Sequence, residues 1–370
     1  MSGQPAAGSP SALEVTMLTA VLGGQKVLEI PSLQVFPNEV LVVIGPNGSG
    51  KTTLLFCLSL LLKPATGAIS YQGVPVADGP STLRKRRELA VVFQESLLLN
   101  TTVQDNVTLG LRLRGVSGEK IRERTQTWLE RFGVSALSRR QAKTLSGGEA
   151  KRVSLARAFA LQPEVLFLDE PFSALDSPTR QALLEDFQTV LRETRVTTVM
   201  VTHDRNEALV LADRVAVLMN GRIRQIGRPE EVFSSPVDEE VAGFVEAGNV
   251  LHGVLNSQSN GLVSVDIAGR QLQAASNLGA GTRVTVLLNY EDVTLSMPLP
   301  QTAPSSARNQ LRGKIIRVFP VGSQLKVYLD CGFTLASLIT RRSWEELGLE
   351  VGREVVASFK ASSVHLIAKR

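Results

Sequence analysis

Cysteine is nearly missing from this chain: Cys57 and Cys331 are the only two in 370 residues. Standing that far apart and outside any metal-ligand spacing, they exclude a disulfide framework and a cysteine-held metal, and read as core filler in a reducing compartment. Histidine is as scarce, with three copies, and only His203 falls in a patterned context. His252 and His365 are assigned no role. Long apolar runs are also absent. The stretch around Leu60-Leu61-Leu62 falls far short of the roughly 18 residues a membrane span needs, so any membrane link is indirect. Residues 1–12, rich in Gly, Pro, Ser and Ala, lack the basic start and apolar stretch of a leader and read as a flexible tail. The chain is therefore expected to stay in the cytoplasm. Charge is balanced, 40 basic against 35 acidic residues, and a net +5 calls for no nucleic-acid partner.

What is present is a 43% hydrophobic chain long enough for two or three domains. Gly45, Pro46, Asn47, Gly48, Ser49, Gly50, Lys51 and Thr52 form a phosphate-binding loop: Gly, four residues, Gly, Lys, then Ser or Thr. Glu39 to Ile44 before it reads as a buried strand, and Thr52 to Leu62 after it as a helix, with Thr53 counted among the nucleotide-binding residues. Glycines let the backbone N–H groups close round a β-phosphate, and the helix N-terminus adds partial positive charge. Lys51 is expected on the β- and γ-phosphates and Thr52 on Mg²⁺.

Further along, Leu13 to Val35 suggests antiparallel strands, and Leu89 to Phe93 a strand ending at Gln94, whose amide suits a metal-bound water. Thr102 to Arg114 and Glu119 to Gly133 have helical spacing, a helical insertion. Leu145-Ser146-Gly147-Gly148-Glu149 precedes the helical pattern Val153, Ala156, Phe159, Ala160, with Ser146 as cap and the glycines exposing N–H groups to an anion. Val165 to Leu168 is a buried strand ending in two carboxylates. Asp169 is expected to hold Mg²⁺ and Glu170 to polarise the attacking water. Ser173-Ala174-Leu175-Asp176 forms a loop before a helix opened by Pro178. A last buried strand, Val196 to Val201, ends at Thr202-His203-Asp204, where an imidazole could donate to a γ-phosphate.

Residues 13–247 resemble the ATP-binding subunit of an ABC transporter, with six motifs in order: Walker A (Gly45 to Thr52), the Q-loop (Gln94), the signature (Leu145 to Glu149), Walker B (Val165 to Asp169, with Glu170), the D-loop (Ser173 to Asp176) and the switch His203. The resemblance implies an α/β P-loop NTPase with an antiparallel β edge and a helical insertion at about 95–160. ATP and Mg²⁺ are the implied cofactors, with Thr52, Gln94 and Asp169 toward the metal. It also implies two copies paired head to tail, so that Ser146, Gly147, Gly148 and Asp176 of one chain face nucleotide on the other. Transmembrane permease subunits would hold the pair at the cytoplasmic face, engaging an external solute-binding protein indirectly. Two departures stand out: Glu149 where the family usually has glutamine, and Val21-Leu22-Gly23 where it tends to carry an aromatic for adenine.

Beyond Gly248 the chain is all-β and repeats itself. Asn249 to Gly253 aligns with Asn309 to Gly313 at an offset of 60, and Gly281, Val284, Asn289, Val293 and Leu295 with Gly352, Val355, Lys360, Val364 and Leu366 at an offset of 71. The expected copies are two small barrels, residues 248–297 and 306–370, with a Pro-rich linker at 298–305. Ser306, Arg308, Asn309, Lys360, Ser362 and Ser363 suit an oxyanion, whereas the first copy carries Glu246, Gly248, Asn289, Glu291 and Asp292. The second copy resembles the molybdate-binding MOP form of the TOBE domain, which implies an importer for molybdate or tungstate with an oxyanion-sensing tail. Alternatives are an importer for sulfate, sugar or another solute with the tail as a dimerisation scaffold, and a soluble ATPase of the same family acting on ribosomes or DNA. The last lacks the tandem halves or long coiled-coil insertion it needs.

Overall fold

The computed structural model describes residues 11–76, 79–245, 248–259, 261–298 and 305–369. They form two compact units that divide between Glu230 and Glu231. Glu246, most of the N-terminal tail and most of the Pro-rich linker lie outside the described residues.

The first unit runs β1 (Leu13–Leu22), β2 (Gln25–Val35), β3 (Val40–Ile44), α1 (Lys51–Leu58), β4 (Thr66–Tyr71), β5 (Val74–Pro75), α2 (Pro80–Arg86) and β6 (Leu89–Val92). It continues through α3 (Val103–Leu113), α4 (Gly118–Arg131), α5 (Gly147–Ala160), β7 (Val165–Asp169), α6 (Ser177–Thr194), β8 (Thr197–Thr202), α7 (Arg205–Leu211), β9 (Arg214–Met219) and β10 (Arg222–Gly227). Strands β3, β7 and β8 are buried along their whole length, the unbroken apolar pattern of parallel strands covered on both faces. They sit centrally in a six-stranded sheet of order β10-β9-β3-β8-β7-β6, which is parallel except for its β10 edge. The antiparallel sheet β2-β1-β4-β5 shares one hydrophobic cluster with this sheet and with α1.

Register decides where chemistry collects. Ile44 pairs with Thr202 and Asp169 with Val201, so the carboxyl ends of β3, β7 and β8 finish side by side, the edge where open α/β sheets bind ligands. The helical insertion stands on α5. Trp128, Phe159, Phe187 and Phe172 stack in sequence at centroid distances of 4.8, 6.0 and 5.6 Å. Each such pair adds about 0.5–1.5 kcal/mol beyond area burial, tying the insertion to α6 and to the segment just after Glu170.

The second unit takes in α8 (Pro229–Ser234) from Glu231 onward and α9 (Glu239–Phe244). Helix α9 belongs with the tail because Glu239 accepts from the buried Thr285 hydroxyl at 3.1 Å and meets Lys369 at 3.0 Å. The strands are β11 (Asn249–Ser259), β12 (Leu262–Ile267), β13 (Arg270–Ala275), β14 (Arg283–Leu288), β15 (Thr294–Ser296), β16 (Asn309–Val321), β17 (Gln324–Asp330), β18 (Thr334–Thr340), β19 (Glu354–Phe359) and β20 (His365–Ala368), with α10 (Arg341–Glu346) after β18.

The repeat is real in three dimensions, yet its copies are not separate barrels. The sheets are β13-β12-β11-β14-β20 and β15-β19-β16-β17-β18, so each copy lends its last strand to the other. One hydrophobic cluster spans both. The equivalent asparagines pin the exchange. The Asn249 amide donates to Ala336 O (2.9 Å) and accepts from Ala336 N–H (2.6 Å), while Asn309 donates to Gln273 O (2.8 Å) and accepts from Gln273 N–H (2.7 Å). Periodicity reports faces and not pairing partners, so the exchange left no mark in the sequence pattern.

Candidate nucleotide site

Gly45 needs to be glycine for space. A Cβ there would lie 2.0 Å from Leu218 O and 2.8 Å from Ser49 Oγ. Lys51 Nζ donates to Gly45 O (2.9 Å) and Pro46 O (3.1 Å), folding over the loop's own carbonyls instead of reaching outward. Burial lowers its pKa, against the pull of Glu170 and Asp169. The Ser49 hydroxyl is buried with no hydrogen-bond partner among the described residues, an orphan at the floor of the cradle.

Thr52 Oγ1 donates to Asp169 Oδ1 at 3.0 Å, joining the first turn of α1 to the end of β7. Burial raises the Asp169 pKa, opposed by that hydroxyl, so a cation here would relieve a carboxylate held in poor solvent. Two oxygen donors side by side suit a hard divalent ion such as Mg²⁺. Among the described residues no group of three or more His, Cys, Asp or Glu could hold a metal alone, so phosphate and water would complete the shell.

Glu170 sits in left-handed backbone, φ +42°, a conformation costing about 1–3 kcal/mol that persists only where surroundings enforce it. Its N–H donates to Val201 O (2.9 Å), and its carbonyl accepts from Ser173 N–H (3.2 Å) and Ser173 Oγ (2.8 Å). The His203 Nδ1 lies 3.1 Å from Glu170 Oε1, so the switch histidine faces the carboxylate. Its side chain is 57% exposed, open to a further partner.

Ser146 caps α5 and Glu149 returns the contact: Ser146 N–H donates to Glu149 Oε2 (2.7 Å) and Glu149 N–H to Ser146 Oγ (3.3 Å). The Ser146 N–H, then its hydroxyl, with Arg140 adding, hold the Glu149 carboxyl below its usual range. A glutamine would make the same cap without charge. The Ser146 hydroxyl thus accepts from the Glu149 N–H and bonds the Glu149 carboxyl. Asp176 caps α6 by accepting from Thr179 N–H at 3.1 Å, and a Cβ on Gly148 would meet Thr179 Cγ2 at 2.8 Å. The signature thus abuts the first turn of α6, which Asp176 of the D-loop caps. Gln94 follows β6, exposed, its carbonyl accepting from Lys151 Nζ at 2.7 Å.

Sequence reasoning missed three residues here. Lys151 is one. Arg180 is another, donating to Leu175 O (3.2 Å) in the D-loop and to Asp204 Oδ2 (3.4 Å) beside His203. The third is Glu207, 4% exposed, which accepts from Thr202 Oγ1 at 2.7 Å. Charged residues one or two turns into an apolar helix were the available signal, and they resemble ordinary surface positions.

Burial pushes the Glu207 carboxyl up to about 7, with Asp204 adding and Thr202, Arg180 and His203 opposing. The native state therefore holds this proton more tightly than the unfolded chain, and stability is lost as pH rises from about 4.5 toward 7. Glu207→Gln keeps an acceptor for Thr202 and removes the charge. It should raise the melting temperature of the full chain at pH 8 by roughly 4 °C or more, from about 2–3 kcal/mol of relieved linkage, with little change at pH 4. Thermal melts at both pH values check this.

In the tail, Asn309 pairs with Phe359, which sets Arg308 opposite Lys360 where the strands end. Lys360 opens the turn Ala361–Ser363, bringing Ser362 and Ser363 to the same end, with Ser306 exposed just upstream of β16. Asn309 leaves the oxyanion set: it is buried, and both amide atoms are spent on Gln273. In the first copy Asn289 opens the matching turn Tyr290–Asp292, which carries Glu291 and Asp292.

Residues 28–173 match the family described as ABC transporter, and residues 305–366 match the TOBE domain. The molybdate/tungstate import ATP-binding protein WtpC of Pyrococcus abyssi is 36% identical over 341 residues, covering 90% of this chain and 94% of the relative. The spermidine/putrescine import ATP-binding protein PotA of Oleidesulfovibrio alaskensis is 37% identical over 73% of each chain. The sulfate/thiosulfate import ATP-binding protein CysA of Synechococcus elongatus is 32% identical over 93% of each. Among solved structures, cbiO1 of Clostridium perfringens, part of the ABC transporter complex cbiONQ, superposes with TM-score 0.57 at 28% identity, over 64% of this chain and 95% of that one. The cassette MJ0796, dimeric and bound to ADP and Pi, gives 0.54 at 28% identity, over 59% and 98%.

Proposed function

Since the chain belongs to the ATP-hydrolysing subunits of ABC transporters, we propose that it drives import of molybdate or tungstate and senses the same oxyanion in its tail. It works as a pair of identical copies at the cytoplasmic face of the membrane, against permease subunits served by an external solute-binding protein. Likeness to WtpC over nine-tenths of the chain supports the cargo. The observation that carries the sensor is the β16–β19 register, which sets Arg308 against Lys360 beside the Ser362-Ser363 turn. Carboxylates at the matching turn of the first copy favour one anion site, not two. Exposed leucines at 97, 99, 109 and 113, on and after the segment that follows Gln94, support a permease contact there. No helix among the described residues is long and apolar enough to cross a membrane.

In the nucleotide site Thr52 and Asp169 would hold Mg²⁺, with Gln94 toward its water; bound there, the ion neutralises charge on the β- and γ-phosphate oxygens. The chain's own residues do the rest. Backbone N–H groups of Gly48 to Thr52 bind phosphate, and Lys51 exchanges its loop carbonyls for phosphate oxygens. Glu170 takes a proton from the attacking water, and His203 orients that carboxylate. The partner's Ser146 and Gly148 donate to the γ-phosphate when the pair closes, when charge develops there.

Calorimetric titration of the full chain with molybdate, tungstate and sulfate tests the sensor. Saturable binding of the first two is expected, weakened at least tenfold by Lys360→Ala with Ser362→Ala, since each charge-assisted bond is worth about 1.5–3 kcal/mol. A folded, dimeric sample that binds none of them would reduce the tail to a scaffold. Preference for sulfate would reassign the cargo.

A further inference from the structure

Residues 93–99 follow β6 without regular structure, yet five of their carbonyls accept from side chains of two helices. From α5, Lys151 Nζ donates to Phe93 O (3.2 Å) and Gln94 O (2.7 Å). One turn on, Ser154 Oγ donates to Ser96 O (3.4 Å). Another turn on, Arg157 donates to Ser96 O and Leu97 O, both at 3.0 Å. From α3, Asn106 donates to Leu99 O (3.1 Å) and accepts from Leu99 N–H (2.7 Å). Positions 151, 154 and 157 are spaced three apart, so they line one face of α5. Lys151 is only 3% exposed and Ser154 1%, and long cationic side chains are buried like this only where their donors are used.

The loop pays a conformational cost for this arrangement. Leu97 adopts φ +40°, a region that leucine avoids, while more than half exposed. Its carbonyl is held by Arg157. We infer that Lys151, Ser154 and Arg157 are a staple that makes the Gln94 loop and the signature helix one mechanical piece. Lys151 is then a positioning residue for hydrolysis on the partner chain. A shift of the loop at Gln94 is passed through Lys151 to Ser146, the N-cap just over one turn away on α5. The inference rests on the paired arrangement proposed above. The lysine touches no atom of its own chain's phosphate loop in the contacts described, so its loss should spare the first encounter with ATP and slow the closing step.

The test uses the purified full chain. Lys151→Met keeps the length and removes the donor, and Lys151→Arg restores one. For Lys151→Met, kcat should fall about tenfold while KM for ATP stays within about twofold, and Lys151→Arg should recover most of the loss. Hydrogen exchange without nucleotide should speed up at residues 93–99 in Lys151→Met and not in Lys151→Arg. Arg157→Lys, which keeps the charge but cannot fork across two carbonyls, should lie between them. If Lys151→Met fails to fold, Lys151→Arg and Arg157→Lys decide by the same two readouts. A rise in KM that matches the fall in kcat, or unchanged kinetics with unchanged exchange at 93–99, overturns the staple. Pairing is read separately, from ATP-dependent dimerisation of the wild-type chain.

Discussion

Glu170→Gln should leave a chain that binds ATP at nearly wild-type affinity and hydrolyses it at least a hundredfold more slowly. The substitution is almost isosteric at a position whose backbone is held by Val201 O from one side and by two Ser173 donors from the other. The left-handed turn at φ +42° should survive, and with it the ends of β7 and β8. What disappears is a basic oxygen with a histidine 3.1 Å away to orient it. General-base catalysis contributes about 10²–10⁴-fold, and an amide supplies almost none of it. Single-turnover hydrolysis, paired with fluorescent-nucleotide binding, separates the two effects. A large loss of affinity would mean that Glu170 holds the cradle together instead of acting on water.

Gly45→Ala is the second large effect, and it comes from space alone. The new methyl would stand 2.0 Å from Leu218 O, on β9 beside β3, and 2.8 Å from the Ser49 hydroxyl. Backbone cannot yield as a flexible side chain can, so either the β3–β9 ladder opens or the loop is pushed into the volume a phosphate needs. Overpacking of this kind costs about 1–3 kcal/mol, and ATP affinity should fall more than tenfold because the N–H groups no longer converge. Melting curves and nucleotide titration check both. Gly147→Ala is the stability control: nothing lies within 4 Å of its added Cβ, and alanine favours the first turn of α5.

The nucleotide site was legible because its motifs are local. A glycine loop between a buried strand and a helix, or two carboxylates ending an apolar strand, places its own side chains once the strands are parallel. Parallel strands also bring their carboxyl ends together, so Asp169 at the end of β7, Glu170 and His203 just past β7 and β8, and Thr52 in the helix that follows β3 converge there. What stayed hidden depends on partners distant in sequence. Nothing local to Asn309 says that both amide atoms are engaged by Gln273. Nothing near Glu239 says that α9 seats on β14 through Thr285, which moves the division between units ahead of Gly248. Lys51 and His203 were placed by sequence against phosphate; the contacts local sequence did not show are those of Lys51 with the carbonyls of Gly45 and Pro46 and of His203 with Glu170.

The exchanged strands of the tail set an order of events during synthesis. Val284 pairs with Ala368, 84 residues downstream (368 − 284), and Val286 with Leu366. The first sheet therefore stays open until β20 has been made, and closing so long a loop is among the slower steps available to a small β unit. Meanwhile the buried-to-be edge of β14, with Val284, Val286 and Leu287, is an unpaired apolar strand of the kind that associates with neighbours. The same dependence runs the other way through β15, which waits for β19. A ribosome stalled inside the second copy, or a nonsense codon there, should leave both copies unfinished and exposed, and the cell would have to clear the product whole.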